Sequence, residues 1–350
     1  MDGPEALLYQ RKCCVVCNIA FGPTTKKKMC ARCQEKSGIA CYCSTSCQRK
    51  HWPCHKIVCF DVKTTPIVYL QTELEASNSS KEDDNKASAS SASTTPPLLG
   101  LGGGLVSSLQ TAIDGAIAGS VIILPEGRFK ASGANVSKKR KKDSTTDEDD
   151  GVPKARESIV INKPIKILGD GIGRTMLECD FHVVGNTTKS TSPKTTASSL
   201  VVARLAVEGT IVIDILPTEE YDDGVTFLAV RAVPHKSIPA LSGTKFHIKC
   251  LPAYKTKKDY FQLVGCEIIG GADGLVIGND VSRDAVVIIE ETEISHAKYR
   301  GIFACAYFIL KNSKIHSCGL YGIKGRVGWS EVGDRNEIQP GPWKAGASSY

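Results

Sequence analysis

Four short pairs of metal-binding side chains crowd the first sixty residues: Cys14-x2-Cys17, Cys30-x2-Cys33, Cys43-x3-Cys47 and His55-x3-Cys59. Each spacing lets one turn of backbone aim two donors at one ion. Zn²⁺ takes four nitrogen or sulfur donors in a tetrahedron at ~2.0–2.3 Å. Eight donors therefore supply two closed sites with no position left for water. Ions held this way are structural rather than catalytic. Cys13, Cys41, Cys54 and His51 are extra donors to which we assign no ligand role, although Cys13-x3-Cys17 is also a pair.

Ten of the fifteen cysteines lie in residues 13–59. In a reducing compartment such crowding signals metal binding rather than disulfides. The opening MDGPEALLYQRKCC carries no long apolar segment, and no stretch approaches the ~18 apolar residues of a membrane span. The reading is an intracellular protein, cytoplasmic or nuclear, with no membrane partner. The run Lys138, Lys139, Arg140, Lys141, Lys142 matches a nuclear import signal, or else a solvated basic run beside its acidic neighbour DEDD at 147–150. Ten Lys/Arg against three Asp/Glu up to residue 60 give +7, the formal charge of the whole chain, so the rest balances. Seven thiolates and two Zn²⁺ would bring the metallated segment near +4. Nothing here matches the dense basic footprint of a nucleic-acid binder.

The text CVVC…CARC…CYCSTSCQRKHWPCHKIVC over residues 14–59 resembles the MYND zinc finger. Tyr42-Cys43-Ser44, Cys47-Gln48, Trp52, His55-Lys56 and Val58-Cys59 stand where that family has them. The resemblance implies an interleaved arrangement. Cys14, Cys17, Cys43 and Cys47 would hold one ion, and Cys30, Cys33, His55 and Cys59 the other. Spacing alone leaves a sequential scheme open, with Cys14/17/30/33 and then Cys43/47/His55/Cys59. The family further implies a shallow groove that takes short proline-containing peptides, with Gln48 and Trp52 at the matching positions. Trp52 packed inside the finger is the plainer alternative. So small a segment has little apolar core, and metal would supply ~10–16 kcal/mol of folding energy per site. A chelator is therefore expected to unfold residues 14–59 and leave the remainder intact.

Residues 61–99 lose the cysteines, and the Ser/Ala/Lys/Asp-rich stretch 76–97 reads as a flexible linker. SSLQTAIDGAIAG (107–119) has apolar residues at helical spacing and stops at Gly119. Short strand-like runs follow: VIILP, SIVIN, IKILG, LVVARLAV, TIVIDIL and VTFLAVRAV. The last third repeats. VGCEIIGGADGLVIG (264–278), EETEISHAKYRGIFA (290–304) and KNSKIHSCGLYGIKG (311–325) align Ile268, Ile294 and Ile315, and also Gly274, Gly301 and Gly322. A unit of 20–27 residues that cannot bury its own apolar side chains is one coil of a solenoid. Ile stacks on Ile inside, and Gly is expected in the corner turns.

Residues 100–325 thereby resemble right-handed parallel β-helix proteins of the pectin-lyase-like fold. The fold class is mainly β: a small zinc-finger module at 13–60, a flexible linker at 61–99, and a β-helix at 100–325. Disordered insertions are expected at 131–157 and 185–199. The segment 217–262 fits the pattern less well, and 326–350 leaves it as a tail, or caps the open end with Trp329 or Trp343. β-Helix enzymes need clustered carboxylates on adjacent coils. Here Glu267, Asp273, Asp280, Asp284, Glu290, Glu291 and Glu293 are read as out of register, the column of Asp273 holding Arg300 and Tyr321. GDGIG (169–173) and GLGGG (100–104) lack the residues of nucleotide or phosphate loops. We therefore expect no enzyme, but an adaptor or scaffold whose finger docks a peptide and whose β-helix is a platform for protein or carbohydrate. The alternative is a carbohydrate-active lyase or hydrolase recruited by its finger.

Overall fold

The computed structural model describes residues 14, 21, 28–32, 41–70, 104–106, 108–131, 157–185, 199–215, 224–234, 243–251, 261–325, 331–333 and 335–339. The basic run 138–142, nearly all of both insertions and most of the linker lie outside these residues.

The N-terminal module is a two-stranded antiparallel ribbon and one helix. β1 (Lys28–Met29) pairs with β2 (Cys41–Tyr42), and α1 (Thr45–Val58) follows at once. Ser44 starts that helix as its N-cap: the Cys47 N–H donates to its Oγ at 3.2 Å, satisfying one of the donors a helix start leaves open.

The chain then enters a three-walled parallel β-helix, continuing through β3 (Ile67–Leu70), β4 (Gly104–Val106), α2 (Leu109–Gly115), β5 (Val121–Leu124), β6 (Gly127–Phe129), β7 (Ser158–Ile161), β8 (Lys166–Gly169), β9 (Thr175–Leu177), β10 (Asp180–Val184), β11 (Leu200–Glu208), β12 (Ile211–Asp214), β13 (Val225–Val233), β14 (Phe246–Leu251), β15 (Phe261–Val264), β16 (Glu267–Ile269) and β17 (Asp273–Val281). Two further coils are β18 (Val287–Glu290), β19 (Glu293–Ser295) and β20 (Arg300–Ala304), then β21 (Phe308–Lys311), β22 (Lys314–His316) and β23 (Tyr321–Gly325). β24 (Glu331–Val332) and β25 (Glu337–Ile338) end the series. One wall runs from β4 through β3, β5, β8, β11, β13, β15, β18 and β21 to β24. A second contains β16, β19, β22 and β25. The third runs from β7 to β23. β11 and β13 bend to serve the first two walls together.

Two corrections to the expected boundaries follow. β3 lies within the expected linker yet pairs in parallel with β5, Val68 opposite Ile122. β24 and β25 lie in the expected tail yet keep the repeat, with Ile315 opposite Ile338. The short segments IVYL and EI carry too little periodicity to be seen alone; stacking on a neighbour makes them strands. Likewise β13 and β14 place 225–233 and 246–251 squarely in the solenoid.

The interior is a set of apolar columns. Ile268, Ile294 and Ile315 are in direct register and almost wholly buried. Each such side chain contributes roughly 1.5–3 kcal/mol by leaving water. Phe181, Phe227, Phe246 and Phe261 fill the middle coils with tilted and edge-to-face contacts at 5.1–6.4 Å between centroids. α2 lays Leu109, Ala112 and Ile113 under the first coil and covers that end.

The aligned glycines have a different cause from the one expected. Gly274, Gly301 and Gly322 are not among the positive-φ residues. A Cβ on Gly301 would collide with Ile315 Cγ2 and stand 2.7 Å from the Gly322 carbonyl. The next coil's isoleucine excludes the side chain. Corners are turned instead by left-handed residues: Arg204, Ala229, Gly265, Glu291 and Asn312 at one, and Gly270, His296 and Ser317 at another, with φ between 48° and 76°.

Candidate metal centres

α1 fixes where donors can meet. Cys47 lies in its first turn and His55 in its last, eight residues apart. The axial rise between them is ~12 Å. Ligands of one tetrahedral Zn²⁺ with Zn–S near 2.3 Å stand only ~3.8 Å apart. One ion cannot take both ends of the helix, which rules out the sequential grouping with this helix in place.

Two clusters result. Donor atoms of Cys14, Cys43 and Cys47 all lie within 4.8 Å of one another, and those of Cys30, His55 and Cys59 do the same. Cys43 Sγ and Cys47 Sγ are 3.6 Å apart, and Cys30 Sγ and Cys59 Sγ 3.9 Å. These distances bracket the tetrahedral ligand spacing and exceed by far the ~2.05 Å of a disulfide. Cys17 and Cys33 lie outside the described residues. Each cluster thus shows three donors of one expected set of four, and the donor sets suit a metal ion.

Aromatic rings lie beside His55 of the second cluster. Tyr42 is fully buried, and its Oη and His51 Nδ1 are 3.1 Å apart. His55 lies edge-on to Tyr42, with centroids 6.3 Å apart, and 5.7 Å from the Trp52 ring. Trp52 is 41% exposed, so the ring is not enclosed within the module. Gln48, half-buried, precedes Trp52 by four residues and shares its helical face. Cys41 is buried; Cys13 lies outside the described residues.

The module is fastened to the β-helix. Lys166 Nζ donates to the carbonyls of Ile57 and Cys59 at 3.0 and 2.9 Å, satisfying acceptors that a helix end leaves open. Val58 and Phe60, either side of Cys59, pack with Tyr69, Val121, Ile123, Leu168, Val201, Ala203 and Leu228 on the outer face of the first wall. This explains why VIIL and LVVA read as unbroken apolar runs: both faces of those strands are covered.

On the β-helix surface, one expectation about carboxylates is corrected. Glu267 and Glu293 are in register on β16 and β19, in the column Arg231, Glu267, Glu293, Lys314, Glu337. Arg231 forks onto Glu267 at 2.6 and 3.0 Å, and that bond raises its pKa. Glu293 Oε1 is 2.8 Å from His316 Nε2. Arg300 holds Asp273 through two bonds of 2.7 Å while lying over Phe303. The thiols of Cys179 and Cys266 are pushed up to about 12 by burial and stay protonated.

No family model and no curated protein matches the sequence. Two solved structures are similar in fold. One is a pectate lyase, at 11% identity and TM-score 0.34, covering 64% of this chain and 52% of its own. The other is the A-module of a mannuronan C-5 epimerase from Azotobacter vinelandii, at 15% identity and TM-score 0.32, covering 64% of this chain and 70% of its own. The chain thus spans about half the length of the lyase it matches. By the parallel walls described above, the chain is a mainly-β protein whose larger part is a right-handed parallel β-helix. The expectation of no enzyme rested on carboxylates out of register; Glu267 and Glu293 are in register, so that expectation is withdrawn. Both similar chains are named as enzymes. Among the described residues no helix is long and apolar enough to cross a membrane.

Proposed function

We propose that the N-terminal module is a MYND-type finger holding two structural Zn²⁺ ions, and that it docks short proline-containing peptides while the β-helix serves as its platform. Cys14, Cys17, Cys43 and Cys47 would hold one ion, and Cys30, Cys33, His55 and Cys59 the other. The observation that carries this reading is the pair of three-donor clusters at opposite ends of α1. The ions would supply folding energy and no open coordination site. Gln48 offers an amide to a peptide backbone, and exposed Trp52 a flat face to a proline ring. Metal analysis of the purified full chain should give two zinc per protein. A Trp52→Ala variant with unchanged zinc content should lose peptide partners recovered by the wild type. Absence of stoichiometric zinc would refute the finger; retention of every partner would refute the groove.

A second reading is favoured by the stacked Glu267 and Glu293. Adjacent parallel strands are ~4.8 Å apart, so the two side chains start from neighbouring backbone positions, and acid–base work on a glycosidic link uses a carboxyl pair about 5–9.5 Å apart. This is the carbohydrate-active alternative. Its test is turnover of acidic polysaccharides by the full chain, with Glu293→Gln as control. No turnover on any uronate polymer would count against it.

A further inference from the structure

Arg128, Arg174, Arg231, Lys249, Arg300 and Lys314 of the β-helix each lie against a carboxylate. The cations of α1 do not. Between Cys14 and Phe60 the sequence carries eight Lys/Arg and one Asp/Glu. Among the described residues up to Lys63 the one acid is Asp61, whose Oδ1 accepts the Lys63 N–H at 3.0 Å. Arg49, Lys50 and Lys56 are all exposed, and none meets a carboxylate among the described residues. With two Zn²⁺ and seven thiolates counted, the segment still carries a positive charge that draws an acidic chain toward it.

The helix sets some of these cations in a row with Trp52. At 3.6 residues per turn Arg49, three residues before Trp52, and Lys56, four after it, share its face. Lys50, two before it, projects from the far side. Thr45 lies one turn before Arg49 on the same face, and Lys28 Nζ donates to its Oγ1 at 3.0 Å, which brings a third cation to that end. Arg49 and Lys56 stand ~10 Å apart along the axis, too far to converge on a single phosphate. They suit carboxylates distributed along an extended peptide. Such a chain advances ~3.3 Å per residue, so about two residues carry it from Trp52 to either cation.

Resting on the docking reading above, we propose that the finger's peptide partner is acidic as well as proline-containing. The proline lies on Trp52, and Asp or Glu about two positions to either side meets Arg49 and Lys56. An acidic residue further out on the Arg49 side reaches Lys28. The indole supplies the apolar contact, and the unmatched cations select which proline segments stay.

The test lets the zinc-loaded full chain select from a random library of short peptides. The expected motif is a proline flanked by Asp or Glu. Two exposed ion pairs should make an aspartate peptide bind about fivefold more tightly than its asparagine analogue, and high salt should erase the difference. Arg49→Glu combined with Lys56→Glu, at unchanged zinc content, should select Lys or Arg at the flanking positions. Lys50→Glu changes the charge but not the row and should keep the acidic motif. A proline motif without acidic enrichment, lost in Trp52→Ala, would overturn the charge preference and leave the groove standing. Absence of any proline motif would overturn both. An oligonucleotide of equal charge that displaces the acidic peptide equally well would also overturn the proposal, since the row would then hold any polyanion.

Discussion

Lys166, at the start of β8 in the first wall, donates its ammonium to the backbone carbonyl of Cys59 at 2.9 Å, and Cys59 is also a donor of the second metal cluster. A single residue therefore faces the candidate metal site with its sulfur and the β-helix with its carbonyl. Its neighbours Val58 and Phe60 are buried against the same wall. The module is not a bead on a string.

Removing metal should consequently be felt beyond the module. Chelation of the full chain is expected to raise amide hydrogen exchange in 121–124, 166–169 and 200–203 as well as around α1. The expectation from spacing, in which the finger alone unfolds, ignores a contact that sequence does not reveal. Exchange in these three strands that stays at the holo level while α1 loses protection would disprove the coupling.

Lys166→Met should cost about 1–3 kcal/mol, because two carbonyls at a half-buried helix end lose a charged donor. Chemical denaturation measures this directly. Lys166→Arg should recover part of the loss, since its guanidinium also donates. Equal stability of the methionine variant and wild type would mean that water replaces the ammonium fully.

The solenoid was legible in the sequence where its coils repeat. Ile268, Ile294 and Ile315 align by eye and are paired in space. Its corners were not. Arg204, Ala229, Glu291 and Asn312 take left-handed φ without being glycine, because the strands on either side dictate the bend. The pairing of metal donors was half legible: Cys47 and His55 lie too far apart along any helix to share an ion, but only with the helix recognised. Glu267 and Glu293 share a column of the aligned repeats, each one residue before a stacked isoleucine.

Gly301→Ala tests the packing account of the aligned glycines. Its methyl would collide with Ile315 Cγ2 and meet a backbone carbonyl at 2.7 Å, and the backbone cannot yield easily. Overpacking of this kind costs typically ~1–3 kcal/mol. Ile315→Ala alone leaves a cavity and costs ~2–5 kcal/mol. The double variant should lose less than the sum of the two, since each change relieves the other. Strict additivity in a double-mutant cycle would show that the glycine is there for another reason.

The acid side of the stability curve should depend on His247. Burial, and secondarily Lys249, lowers its pKa in the folded protein, while Asp214 partly opposes this. The unfolded chain then binds more protons than the folded one once pH falls below the ordinary histidine value near 6.5. Stability must therefore decline as pH drops from about 6.5 through the lower folded-state pKa, and nothing is lost above that window. His247→Gln removes the titrating group but keeps a polar side chain at this half-buried position. Its denaturation midpoint should fall less steeply than that of wild type as pH drops below about 6.5. Parallel profiles for the two proteins would assign the acid sensitivity to other groups.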